Sequence, residues 1–261
     1  MKKLPVTSYQ LHFLLFCFSA LFAFLPAFAF AQQPHHQHKN RPLPTPQINE
    51  TPKVFFEVRF GPTIDWFSPT SDVIKRESVK AGFMAGVGVD VAVVEKRFLF
   101  VTTGVLFKYL QGEITFANQY SLLDTVFTTP DAKRTYQTMY LTIPTGIKFR
   151  TPPSRNCVFM GKVGFYHSFK VSGNQFDKFE LPEKDANYYI TKNNEPNKDA
   201  ALFAEAGYAG VGFEYILGNR TRVFTHLDYN CQFNYFSYTA KNDLQFKSIV
   251  HSLHIMFGFL F

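Results

Sequence analysis

The sequence predicts an all-β fold, an eight-stranded antiparallel up-and-down transmembrane barrel behind an export signal. Three observations carry that prediction. Apolar and polar residues alternate through eight consecutive segments, short and long connections alternate between them, and aromatics reach 18% while total apolar content is an ordinary 46%. A helical membrane protein would be far more apolar, and a disordered chain would be poor in aromatics. Thirty-two Phe and 13 Tyr at a mean hydropathy of −0.09 fit strands with one greasy and one polar face.

The first segment reads as an export signal. Lys2 and Lys3 precede an apolar run from about Leu11 to Phe30, which ends in Ala29-Phe30-Ala31, so cleavage is expected after Ala31. Pro26 and the polar stretch that follows argue against a retained spanning helix. Cys17 lies inside the apolar run behind Phe16 and is no lipidation site. Cleavage removes two of the 27 basic residues and none of the 20 acidic ones, changing the net charge from +7 to +5. It leaves Cys157 and Cys231, which form no disulfide framework. The expected divisions are a signal peptide (1–31), a Pro/His-rich periplasmic linker (32–53) and the barrel (54–261). Prolines at 34, 42, 44, 46 and 52 exclude helix and central strand from the linker, which reads as disordered. His35, His36 and His38 have no nearby carboxylate or cysteine partner, so they read as a solvated tail rather than a metal site.

From residue 54 the period is two. Val54 to Phe67 places Phe56, Val58, Phe60, Ile64 and Trp66 opposite Glu57, Arg59, Gly61, Thr63 and Asp65. Ala81–Val94, Phe98 to about Phe116, Tyr136–Arg150 and Cys157–Gly173 repeat the pattern, with Val89, Val101, Tyr109, Ile147 and Phe165 on their apolar faces. Ala201–Leu217 follows, its first half compatible with either register. Arg222–Tyr235 alternates most cleanly, and about Phe246–Phe261 ends with Leu253, Ile255, Phe257, Phe259 and Phe261 on one face.

Connections at 95–97, 151–156 and 218–221 are short, whereas those near 68–80, 117–135, 174–200 and 236–245 are long and polar. Such alternation is what outer-membrane barrels show, with turns in the periplasm and loops outside. Segments of about 14 residues exceed the 9–11 that cross hydrocarbon, so they are expected to extend beyond the bilayer on the loop side. A spanning sheet must close on itself, because every backbone polar group in lipid needs a partner. Glycines at 61, 82, 86, 88, 104, 146, 164, 210 and 212 lie on the polar face, where inward side chains would crowd. The Val/Phe/Ile face is therefore expected to meet lipid, the inverse of a soluble ligand-binding barrel.

The run Tyr140-Leu-Thr-Ile-Pro-Thr-Gly-Ile-Lys-Phe149 resembles the strand motif of the PorT-like outer-membrane β-barrel proteins of Bacteroidota. Gly161-Lys-Val-Gly-Phe-Tyr166, Gly210-Val-Gly-Phe-Glu-Tyr215 and His226-Leu-Asp-Tyr-Asn230 continue the likeness. Ile255-Met-Phe-Gly-Phe-Leu-Phe261 looks like the signal read by the barrel-assembly machinery, with Ile255, Phe257, Phe259 and Phe261 as its alternate apolar positions. The resemblance covers residues 54–261 and implies the barrel class. One member type acts in gliding motility and type IX secretion, and no motif here carries that role over.

Chemistry is sparse. The mixed charges of 174–200 read as a solvated loop. The basic balance does not indicate nucleic acid, because no Lys/Arg stripe is interleaved with stacking aromatics. His167-Ser168 and His251-Ser252-Leu253-His254 are the only clusters that suggest a nucleophile and base. Some small outer-membrane lipid hydrolases use lipid-facing His and Ser residues. Here His251 would face lipid and Ser252 the lumen, which breaks that geometry, while His254 and Ser252 share the inner face without an obvious third partner. No catalytic set, cofactor or metal is expected.

The inner charges Glu57, Arg59, Asp65, Asp90, Lys108, Lys148, Lys162, Lys170, Glu214, Arg222 and Asp228 suit a salt-bridged plug in so narrow a barrel better than a conduit. The expected lumenal network is Glu57, Arg59, Asp90, Lys148, Lys162, Glu214 and Asp228, with Arg59 paired to Asp90. Trp66 and Tyr109 are expected at the outer interface. The resulting expectation is a non-enzymatic barrel in contact with outer-membrane lipid, with a structural or interaction role. A solute channel and a lipid-modifying enzyme are the alternatives.

Overall fold

The computed structural model describes residues 53–69, 74–94, 98–117, 131–180, 189–196, 200–218, 221–234, 236–239 and 245–261. The segment expected to be a signal peptide, all of the expected linker but Lys53, and the His35/His36/His38 tract lie outside them. Strands β1 (Val54–Pro69), β2 (Ile74–Ser78), β3 (Lys80–Ala92), β4 (Leu99–Ala117), β5 (Asp131–Arg150) and β6 (Cys157–Glu180) are followed by five more. These are β7 (Tyr189–Pro196), β8 (Phe203–Ile216), β9 (Arg222–Gln232), β10 (Phe236–Thr239) and β11 (Gln245–Leu260). β2 continues β3 against β4, β7 continues β8 against β6, and β10 continues β9 against β11, so eight strand paths form the sheet. All pairings are antiparallel, and β1 pairs with β11 to close the barrel.

The registers fix its geometry. Val54 faces Val91, which faces Val101; the rung continues through Ile147, Val163, Ala209, Tyr229 and Leu253 and returns to β1 at Ile64. The circuit climbs from residue 54 to residue 64, a shear of ten on eight strands. At ordinary strand spacing this gives a tilt of about 40°, a radius of about 8 Å and a rise along the axis of about 2.5 Å per residue. Two prolines are accommodated by gaps in the ladder: pairing of β4 with β5 skips from Thr103↔Thr145 to Leu106↔Thr142 around Pro144, and pairing of β1 with β11 skips Pro62.

The faces fall as the alternation predicts. Phe56 and Phe107 are 64% and 56% exposed on the exterior, with Val87, Val101, Ile147, Phe165, Phe213 and Phe259 beside them, while their sequence neighbours are mostly buried. β8 keeps a single phase, resolving its open register: Ala204, Ala206, Tyr208 and Glu214 point inward. The inner glycines are close contacts. A Cβ on Gly146 would collide with the Tyr208 hydroxyl, and one on Gly210 with the Asp228 carboxylate.

The four spans expected as long loops are corrected. Each is partly strand: β2 lies in 68–80, the start of β5 in 117–135, the end of β6 with β7 in 174–200, and β10 in 236–245. β4, β5 and β6 keep pairing well past the apolar belt, because hydrogen bonding between neighbouring strands does not need lipid. By the same rise per residue Asp131 stands about 20 Å above the level of Trp66. Within this extension β6 is bulged. Met139 faces Ser172 and Tyr140 faces Lys170, so Val171 is the extra residue and the inward phase of β6 switches to Gln175 above it.

Candidate functional site

The lumen is filled in layers. At the periplasmic mouth Phe55, Phe100, Met160, Phe224 and Leu260 form an apolar plate. Each lies on the polar phase of its strand, so alternation alone hides it. The Arg150 guanidinium lies 4.6 Å from the Phe55 ring and 4.2 Å from the Phe100 ring, and Arg222 lies 4.7 Å from Phe55. Planar guanidinium groups stack on such rings while keeping their edge donors free for carboxylates.

Those donors join the plate to an ionic layer. Arg150 Nε donates to Glu214 (2.6 Å) and its Nη2 to Asp90 (2.8 Å), while Arg222 donates to the other Glu214 oxygen (2.9 Å). Lys148 Nζ donates to Asp90 (2.6 Å) and Glu57 (3.0 Å), and Arg59 lies 3.2 Å from Glu57. Nearby, Lys162 Nζ sits 2.8 Å from Asp228 and 2.8 Å from His226 Nε2. Toward the loop side Lys108 pairs with Asp65 at 3.1 Å and donates to Ser252 (2.7 Å), which itself hydrogen-bonds Asp65. All these charged side chains are buried. Five acidic groups face six basic ones, so the interior is nearly neutral, as a low-dielectric filling must be.

The structure brings Glu57, Arg59, Asp90, Lys148, Lys162, Glu214 and Asp228 into the lumen, but Arg59 and Asp90 do not pair. Asp90 faces Phe55 and Arg59 faces Gly86, so the two lie four residues apart along the strands. No tight turn joins β1 to β3 at the periplasmic end, so distance from strand ends does not set their register. Arg150, Arg222, His226, Asp65 and Lys108 belong with the expected network. Their inward phase was readable, their partners across the barrel were not. Lys170 reaches the Ala200 carbonyl at 2.8 Å near the upper mouth.

Above the ionic layer Tyr166 and Tyr208 stack at 4.3 Å. Tyr166 floors a small cavity of about 30 Å³ in the loop-side half. Lys108, Thr142, Asn230 and His254 also line it. His254 Nε2 contacts Asn230 at 2.9 Å rather than Ser252, so no serine–histidine pair forms there. Among the described residues no group of His, Cys, Asp and Glu is placed to hold a metal ion, and Cys157 and Cys231 are both free thiols.

On the exterior Trp66 stacks on His251 at 5.6 Å, and the Tyr229 hydroxyl meets His251 Nδ1 at 2.7 Å. Tyr109 accepts a hydrogen bond from Gln111 at 2.8 Å. Corrected for shear, Trp66, Tyr109 and His251 share one level within about 5 Å along the axis, as a girdle requires. His167 and Ser168 turn to opposite faces. Ser168 contacts Thr142 at 2.9 Å inside, and His167 contacts Thr145 at 3.0 Å and Glu205 at 3.4 Å outside.

A closed antiparallel barrel with an apolar exterior belt, an aromatic girdle and a salt-bridged interior is a transmembrane barrel. The family described as "Outer membrane protein beta-barrel domain" matches residues 30–259, and the chain belongs to it. It is an outer-membrane β-barrel protein. Comparison with curated proteins finds no match. Among solved structures it is similar to Ail, the attachment invasion locus protein of Yersinia pestis, at 12% identity over 80% of this chain and 100% of that one, with a TM-score of 0.32. Neisserial surface protein A matches at 10% identity over 78% and 95%, with a TM-score of 0.34. OprG from Pseudomonas aeruginosa matches at 12% identity over 82% and 98%, with a TM-score of 0.39.

Proposed function

We propose that this barrel does not conduct and is not an enzyme of its lumen, and that it serves a structural or interaction role through its surfaces. The observation that carries this reading is the filled periplasmic half, where the Phe55–Phe100–Phe224 plate and the Arg150-centred ion pairs occupy the bore. A radius of about 8 Å leaves no water path once aromatic and guanidinium groups fill it. The pairing of β4, β5 and β6 beyond the girdle supports an outward-facing docking surface. The likeness to PorT-like proteins makes a secretion or motility machinery the first place to look for that partner, although no motif carries the role itself over. Purified protein in a planar bilayer should show no steady single-channel current, and steady conductance would overturn the plug in favour of a small-solute channel. The partner is sought by pull-down of tagged protein from native outer membranes, with a variant whose β4–β5 hairpin is shortened above the Tyr109↔Met139 pair. Equal capture by both proteins would overturn the docking role of that extension.

A further inference from the structure

On the lipid-facing surface, a line of polar side chains that includes an ionisable pair crosses a mainly apolar belt. Thr145 on β5, His167 on β6 and Glu205 on β8 all point outward, and His167 joins the other two at 3.0 and 3.4 Å. Apolar rings frame the line. The Phe169–Phe203 pair (5.1 Å) lies above it, and Phe165 lies below His167 and pairs at 6.2 Å with Phe233, whose backbone N–H bonds the Glu205 carbonyl. The side chains of His167 and Glu205 remain 34% and 47% exposed, so neither is sealed beneath those rings.

Depth decides what such a line can do. Hydroxyl, imidazole and carboxylate in a row have the composition of a nucleophile, its base and an orienting acid. Following the registers, however, Thr145 lies about 15 Å below Trp66 along the axis, midway through the apolar belt, where there is neither an ester carbonyl nor water to attack. Glu205 stands at the other end of the line, within about 5 Å of the level of Trp66, Tyr109 and His251. That is where the polar part of an outer-leaflet lipid meets its acyl chains. An ionisable group on the outward face at this level needs a partner, and the protein supplies only one face of it.

We propose that His167 and Glu205 form a lipid-binding site selective for a lipid whose polar group donates hydrogen bonds, an ammonium or a sugar hydroxyl. Glu205 accepts from that donor. His167, held between Thr145 and Glu205, fixes the carboxylate. The acyl chains run down over Phe165. The site goes beyond the surface role proposed above and does not depend on whether the lumen conducts.

The test uses the full folded chain in nanodiscs holding phosphatidylethanolamine and phosphatidylcholine in equal amounts with the same acyl chains. The two headgroups carry the same charge, and only the first donates hydrogen bonds from its ammonium. Native mass spectrometry after detergent release should show at least a threefold excess of retained phosphatidylethanolamine. Glu205→Leu and His167→Phe, each checked for the folded fast-migrating band, should bring the ratio to about one. A third arm replaces the amine lipid with a neutral glycolipid of the same chains. Retention there at a similar excess assigns the site to hydroxyl donors as well, and loss of the excess restricts it to ammonium. A wild-type chain that retains all three lipids equally, or an excess unchanged in both variants, overturns the proposal. So does a copurifying membrane protein whose capture depends on Glu205 while lipid retention does not.

Discussion

Arg150 is the most connected side chain of the lumen, and its replacement by methionine tests the plug directly. The change keeps most of the aliphatic volume and removes two charged hydrogen bonds, at 2.6 Å to Glu214 and 2.8 Å to Asp90, together with two ring contacts. Breaking a buried ion pair by removing one partner costs about 3–5 kcal/mol. The lost cation–π contacts add about 1 kcal/mol. Both carboxylates keep one cation, Asp90 holding Lys148 and Glu214 holding Arg222, which favours the lower end of the first range. The expected loss is about 4 kcal/mol. Asp90→Asn in the same chain removes the carboxylate that Arg150→Met leaves with Lys148 alone, so that Lys148 keeps Glu57 and Arg222 keeps Glu214. The double variant should therefore lose about 2 kcal/mol less than the sum of the single losses. Urea titration of folded protein in lipid vesicles, read by the emission of the single tryptophan, Trp66, gives all four corners of the cycle. A loss under about 1 kcal/mol for Arg150→Met, or additive losses, would refute a coupled ionic filling.

Two further outcomes follow from position in the belt and at the seam. Val101→Arg, on the outward face in the lower half of the belt, should cost about 2–4 kcal/mol, whereas Leu217→Arg at the periplasmic rim should cost about 0–1 kcal/mol. Equal losses in the same titration would remove the membrane embedding. Deleting Gly258 to Phe261 removes the pairing of β1 with β11 at Arg59↔Gly258, Val58↔Phe259 and Glu57↔Leu260, and takes Leu260 out of the mouth plate. The truncated chain should lose the heat-modifiable folded band, and its persistence would show that the C-terminal strand end does not direct assembly.

Period-two alternation makes the two faces of the long strands legible, except in the first half of β8, because side-chain direction in a strand depends only on parity. Thus parity puts Glu57, Lys148, Lys162, Glu214 and Asp228 on the inner phase, and Trp66 and Tyr109 on the outer one. Partners across the bore were a different matter. They depend on shear, a property of the closed sheet that no single strand carries, and Arg59 was accordingly assigned to Asp90 rather than to Glu57. The plate of Phe55, Phe100 and Phe224 was missed because apolar residues on the polar phase look like noise until their common level is seen. The line from Thr145 to Glu205 was hidden for a related reason: His167 was weighed against Ser168, its neighbour in sequence, while its contacts lie on adjacent strands. Val171 marks the limit of the alternation, since a bulge changes parity without changing composition.

The rung that leaves β1 at Val54 and returns at Ile64 also bears on how the barrel comes together. The first and last strands meet only after nearly the whole chain has been laid down, so the seam is the most sequence-distant pairing in the molecule and the costliest in loop entropy. A seam that slipped by two residues would keep every side chain on its proper face and would pass any test of hydrophobic pattern. Such a slip would change the shear, shifting the Glu57 carboxylate about 7 Å along the strand relative to β11 and altering the bore in which Lys148 and Asp90 are matched. The ionic filling thus acts as a lock that accepts one closure. The apolar exterior drives the sheet into lipid, and the charges decide where its edges join.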